Sequence, residues 1–121
     1  MTKNILIIDD NEDVLNIFKE LLSEEGFSVS TANSGLSGLE LFKRKNFDLV
    51  VIDINMPGMG GLEMVKEVRK MDSCADTKIV MISTESAEEL IEGVLADGAN
   101  GYVTKPFTPE SIQENLAPFM N

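Results

Sequence analysis

The sequence contains no histidine and no tryptophan, one cysteine, and only 10 basic residues among 121. Without histidine there can be no Ser-His-Asp or Cys-His catalysis, no His-dependent zinc site and no phosphohistidine carried on this chain. The one cysteine, Cys74, cannot close an internal disulfide and reads as a bystander. Ten basic residues against 21 acids leave a net charge of −11, which opposes direct contact with nucleic acid or an anionic membrane, because both need cations to meet phosphate. No apolar run approaches the roughly 20 residues of a membrane span, and the start lacks the basic flank and long apolar stretch of a secretory leader. The expectation is a cytoplasmic protein whose partners are proteins or cations. Its chemistry must come from carboxylates, hydroxyls and lysine.

What is present is a regular alternation. Apolar runs at Ile5 to Ile8, Leu49 to Ile52 and Ile79 to Ile82 are short, rich in Val and Ile, and lack the alternation of half-exposed strands. They read as strands covered on both faces, with two weaker ones around Val29 to Ala32 and Gly101 to Val103. Between them lie helical stripes: Val14, Leu15, Phe18, Leu21 and Leu22; Leu36, Leu39 and Phe42; Leu62, Val65 and Val68; Leu90, Ile91, Val94 and Leu95; Ile112, Leu116 and Phe119. Gly26 falls just past the first helix, and Thr108 with Pro109 supplies an N-cap and a first-turn proline for the last. Five βα units in this length predict a single α/β domain over residues 1–121. The sheet is parallel and doubly wound, with right-handed crossovers.

Polar residues interrupt the apolar runs at their carboxyl ends. Asp9 and Asp10 end the first strand, Asp53 the third, Ser83 and Thr84 the fourth, and Lys105 follows the fifth. Ligands of such sheets bind outside that edge, at the point where strand order reverses. Each aspartate alone reads more readily as a turn or cap residue. Together they predict a pocket of three carboxylates and one lysine, whose mutual repulsion calls for a hard cation with oxygen ligands, such as Mg²⁺. Either Ser83 or Thr84 can supply the hydroxyl.

The segments "IIDDNED", "VVIDINMPGMGGLE", "VMIST" and "GANGYVTKPF" resemble the acidic pair, phosphoacceptor loop, hydroxyl position and Lys-Pro segment of bacterial two-component response-regulator receiver domains. The likeness spans essentially the whole chain and is nearest to the stand-alone chemotaxis (CheY-like) type. It implies a (βα)5 flavodoxin-like fold with strand order 2-1-3-4-5, and Asp53 as the residue phosphorylated from a histidine of a sensor kinase or phosphotransfer protein. It further implies Asp9, Asp10, Asp53 and the backbone carbonyl of Asn55 as Mg²⁺ ligands, and Lys105 as a contact of the phosphoryl group, with a cis peptide between Lys105 and Pro106. The family's spacing selects Ser83 as the switch hydroxyl. Tyr102 then stands at the aromatic position that responds to it, and Asn55, Thr84 and Glu85 at positions that tune phosphoryl lifetime.

The implied protein is a regulator rather than an enzyme, taking part only in its own phosphotransfer and dephosphorylation. It is a monomer that changes its affinity for a downstream protein through helix four, strand five and helix five. A phosphate sink for a shared kinase is the alternative within the family. A Mg²⁺-dependent phosphatase with an Asp nucleophile would place that residue after the first strand with a second Asp two residues on, whereas Asp53 follows the third strand and Asn55 follows it. A flavin-binding electron carrier would need a phosphate cradle after strand one, where "DDNED" repels phosphate.

Three features depart from the family pattern. Thr84 is branched where a small residue is usual, Gly60 is expected to loosen the loop after Asp53, and helix four presents Glu88, Glu89 and Glu92 outward.

Overall fold

In the computed structural model, residues 3–71, 76–85 and 87–119 are described. Cys74 lies outside them. Five strands alternate with five helices: β1 Asn4–Ile8, α1 Glu12–Glu24, β2 Ser28–Ala32, α2 Gly35–Arg44, β3 Leu49–Asp53, α3 Gly61–Arg69, β4 Lys78–Ser83, α4 Glu88–Ala96, β5 Gly101–Thr104 and α5 Pro109–Leu116, with a 3-10 turn at Ala117–Phe119. All pairings are parallel and the strand order is β2-β1-β3-β4-β5, as the sequence led us to expect. Among the described residues, no helix is long and apolar enough to cross a membrane.

Period-two geometry sends alternate residues of each strand to opposite sides, and here both sides are covered. Leu6, Ile8, Val50, Ile52, Ile79 and Met81 pack beneath α2, α3 and α4 with Phe42, Val65, Val68 and Val94. Ile5, Ile7, Val51, Val80, Ile82 and Val103 pack on the other side against Leu15, Phe18 and Leu22 of α1 and Ile112 and Leu116 of α5. The unbroken apolar runs of the sequence are thus explained by two cores sharing one sheet. Fully burying a residue such as Phe18 contributes roughly 2–3 kcal/mol.

Two helical stripes differ from the sequence pattern. Leu36 is 66% exposed, and α2 instead turns Gly35, Gly38 and Phe42 inward. The reason is proximity: a β-carbon at position 38 would collide with Ile8 Cδ1, so α2 lies too close to β1 for a larger side chain. On α4 only Val94 is fully buried, Leu90 and Ile91 are half-buried, and Leu95 is 42% exposed. This helix is the least embedded of the five.

Helix ends follow local chemistry. Asn11 caps α1, its side chain accepting from the N–H groups of Asp13 (2.9 Å) and Val14 (3.3 Å). At the other end Gly26, with φ +96°, donates to Ser23 O while Phe27 donates to Leu22 O, a Schellman closure. Thr108 caps α5 in a reciprocal box with Ser111, and Pro109 occupies the first turn.

Candidate phosphoacceptor site

Sheet register places the site. Ile8 pairs with Ile52, so Asp9 and Asp53 follow on adjacent strands, on either side of the point where strand order reverses. Ser83 pairs with Thr104, and Lys105 N–H donates to Ser83 O at 2.7 Å, which brings the lysine to the same edge. Asp9, Asp53 and Ser83 are buried, and Asp10 is exposed.

The geometry is that of a charge cluster with one counterion. Carboxylate oxygens of Asp9, Asp10 and Asp53 lie within 4.8 Å of one another. Lys105 Nζ stands 3.2 Å from Asp9 Oδ2 and 3.7 Å from Asp53 Oδ2. Backbone donors orient the buried acids: Asn11 N–H to Asp9 Oδ1 at 2.9 Å, and Asn55 N–H to Asp53 Oδ1 at 3.1 Å. Burial, and after it the charge of Asp9, raises the Asp53 pKa above its ordinary value of 3.8, against the lowering influence of the Asn55 N–H and Lys105. Three carboxylates facing a single ammonium leave an excess of negative charge, and an all-oxygen donor set suits a hard divalent cation. The residues present therefore fit the metal that the sequence pattern called for.

Ser83, not Thr84, turns into the pocket. Its Oγ accepts from Glu85 N–H at 3.1 Å and lies 3.4 Å from Asn55 Nδ2, whereas Thr84 is exposed. Tyr102 is half-buried, and its hydroxyl donates to Glu85 O at 2.8 Å. The backbone of Glu85 is thus held from both sides by the two residues expected to act as the switch. The Lys105–Pro106 peptide is cis. Phe107, just beyond it, packs edge-on against Phe18 at 5.1 Å between ring centroids, which ties the lysine-bearing segment to the α1 side of the core.

The loop after Asp53 closes on its own backbone at the start of α3. Gly60 is the N-cap of α3, Gly61 N–H donates to Ile54 O at 3.1 Å, and a β-carbon on Gly61 would come within 2.5 Å of Asp53 O. Two contributors went unread in the sequence. Asn11 both caps α1 and fixes Asp9, a role signalled by an Asn directly before an apolar-periodic segment. The reach of the Asn55 side chain to Ser83 has no local sequence signal.

Residues 5–117 match the response regulator receiver domain family. The chain is 39% identical over 113 residues to chemotaxis protein CheY-3 of Vibrio cholerae, covering 93% of this chain and 87% of that one. Its fold superposes on Vibrio cholerae CheY4 with a TM-score of 0.93 at 33% identity, over 98% of this chain and 99% of that one. It also shares the fold of the receiver domain of Pseudomonas aeruginosa sensor histidine kinase PA1611, a structure with magnesium in its active-site cleft (TM-score 0.87, 22% identity, 99% and 98% covered). Register, charge cluster and sequence thus agree on one conclusion: the chain belongs to the response regulator receiver domain family and is of the CheY-like type.

Proposed function

We propose that this receiver is a switch phosphorylated on Asp53 by a histidine of a partner kinase or phosphotransfer protein. The observation that carries this reading is the position of Asp53, buried between the Asp9–Asp10 pair and Lys105, with the Ser83 hydroxyl beside it. In the transfer a carboxylate oxygen of Asp53 attacks phosphorus. The P–N bond to the partner's imidazole breaks and its electron pair returns to the ring nitrogen, leaving an acyl phosphate on Asp53. Lys105 neutralises charge on the phosphoryl oxygens, and the Asn55 N–H holds the carboxylate in place. Mg²⁺, held by Asp9, Asp10, Asp53 and the Asn55 carbonyl, supplies when bound the positive charge that lets a phosphoryl group approach three carboxylates.

Ser83 then donates to the phosphoryl group, and Tyr102 and Glu85 carry the change to α4. Asn55, Thr84 and Glu85 border the site and set how long the phosphoryl group lasts. The output face is α4, β5 and α5. Neither helix of that face contains a Lys or Arg, while Glu88, Glu89, Glu92, Glu110 and Glu114 are exposed, so the downstream protein presents a cationic surface. A cytoplasmic setting, a monomeric resting state and the absence of turnover beyond self-dephosphorylation belong to the same reading.

The test is intact mass after incubation with a small acyl phosphate and Mg²⁺. One phosphoryl group is expected on the wild type and none on Asp53→Ala. Equal gain by the variant would move the acceptor elsewhere.

A further inference from the structure

The edge of the sheet opposite the phosphoacceptor carries a junction built on one arginine that the phosphotransfer chemistry does not use. Arg69, the last residue of α3, donates through Nε (3.0 Å) and Nη2 (2.9 Å) to Gly98 O, through Nη2 to Asn100 Oδ1 (2.9 Å) and through Nη1 to Thr77 O (2.8 Å). Asn100 Oδ1 also accepts from Ile79 N–H at 2.9 Å, so one guanidinium gathers the end of α3, the entry to β4 and the connection from α4 to β5. Planar geometry with five donors suits arginine to such a junction, and lysine cannot reproduce it.

The two ends of α4 are held very differently. Its C-terminal end closes with Gly98 N–H on Leu95 O and Ala99 N–H on Val94 O, and Val94 and Ala99 are both buried. Gly98, at φ +120°, leaves room for Arg69, whose Cγ would stand 3.0 Å from an added β-carbon. The last turn of α4 has no basic residue of its own, so Arg69 supplies from α3 the cation that favours a helix C-terminus. At the N-terminal end Ala87 provides no side-chain cap, Glu88 and Glu89 are exposed, and the preceding chain is held at Glu85 by Ser83 and Tyr102.

We propose that Arg69 is the fixed pivot of the switch, a positioning residue that confines the response of α4 to its N-terminal half. This rests on the reading that phosphorylation at Asp53 acts through Ser83 and Tyr102. With its C-terminal end held by the charged Arg69 junction and its N-terminal end held by the switch residues, α4 tilts about the Gly98 end rather than shifting as a whole.

Hydrogen exchange read by mass spectrometry on wild type, Arg69→Lys and Arg69→Met, with and without acyl phosphate and Mg²⁺, tests this. Intact mass on the same samples reports phosphorylation. In the wild type the phosphodonor should change exchange across 87–92 and leave 94–100 unchanged. In Arg69→Met, exchange across 94–100 should rise at least about tenfold at rest, because charge-assisted bonds are lost, and the phosphodonor-dependent change should spread to that segment while phosphoryl gain stays complete. Arg69→Lys should fall between the two. A wild-type response uniform over 87–100 overturns the pivot, as does resting protection across 94–100 that is the same in all three proteins. If no sample gains a phosphoryl group, the phosphoacceptor reading fails, and the resting comparison still decides whether Arg69 anchors this end.

Discussion

Lys105 pairs more closely with Asp9, at 3.2 Å, than with Asp53, at 3.7 Å. The one cation of the pocket therefore rests on an acid of the candidate metal pair, and Asp9, buried with its other oxygen on the Asn11 N–H, depends on it. Replacing Lys105 by Met leaves two buried carboxylates without a counterion. Breaking one side of such a pair should cost about 2 kcal/mol, less than for a fully enclosed pair because the lysine side chain is 20% exposed. Urea titration with and without Mg²⁺ reads this out, and Mg²⁺ should restore more stability to Lys105→Met than it adds to the wild type. Equal Mg²⁺ gains would show that lysine and metal do not share these oxygens.

Asp53 makes stability depend on pH with a definite sign. Burial and Asp9 raise its pKa in the folded protein above 3.8, so over that interval the folded state holds the proton more tightly than the unfolded chain. The stability this contributes is complete below pH 3.8 and is lost as pH rises through the folded value. Asp53→Asn keeps an acceptor for the Asn55 N–H and removes the charge. At pH 7 without metal it should melt above the wild type, and the gap should narrow as pH falls towards 4. A gap that widens on acidification would contradict the assignment.

The two acids after β1 should differ in metal binding. Asp9 already engages Lys105 and the Asn11 N–H, whereas Asp10 is exposed beside them. Asp10→Asn should therefore weaken Mg²⁺ binding by about tenfold or more, and Asp9→Asn by less, since losing that charge also frees Lys105. With no tryptophan in the chain, calorimetry is the suitable measurement. Equal losses would refute the ranking.

Two glycines at α4 should respond in opposite directions. Gly93 lies within the helix with nothing within 4 Å of an added β-carbon, so Gly93→Ala should stabilise the protein by about 1 kcal/mol. Gly98 combines φ +120° with close approach to Arg69, and Gly98→Ala should cost about 1–2 kcal/mol. Chemical denaturation of both variants decides the point. A neutral Gly98→Ala would mean that the α4 end relaxes without penalty.

These glycines also mark where the sequence was legible and where it was not. Asp9, Asp53, Ser83 and Lys105 could be placed because each interrupts or follows an apolar run, and parallel register brings strand ends to one edge. Leu36 misled because periodicity counts an apolar residue without knowing how near the next element lies. The close approach of α2 to β1 is set by Gly38, which adds nothing to an apolar stripe. Arg69 was invisible for a similar reason. A basic residue in a last helical turn satisfies its own helix, and only tertiary structure shows it reaching Gly98, Asn100 and Thr77.

In the proposed switch, the route out of the site passes through the backbone of Glu85. Ser83 Oγ accepts its N–H at 3.1 Å, and the Tyr102 hydroxyl donates to its carbonyl at 2.8 Å, so the two side chains grip the peptide groups on either side of one residue on the way to α4. A phosphoryl group on Asp53 brings strong acceptor oxygens beside Ser83 and draws its hydroxyl away from the position that serves Glu85. Tyr102 is then the remaining tether, and the N-terminal turn of α4, which lacks a side-chain cap, is free to follow. Ser83→Ala should remain phosphorylatable yet lose most of the phosphorylation-dependent change in hydrogen exchange across 87–92. Tyr102→Phe, which keeps the ring and removes one bond, should raise resting exchange there and reduce the change only in part. A coupling of about 1–3 kcal/mol through this residue would alter partner affinity roughly five- to 150-fold. An undiminished change in Ser83→Ala would mean that the signal leaves Asp53 by way of the loop that follows it.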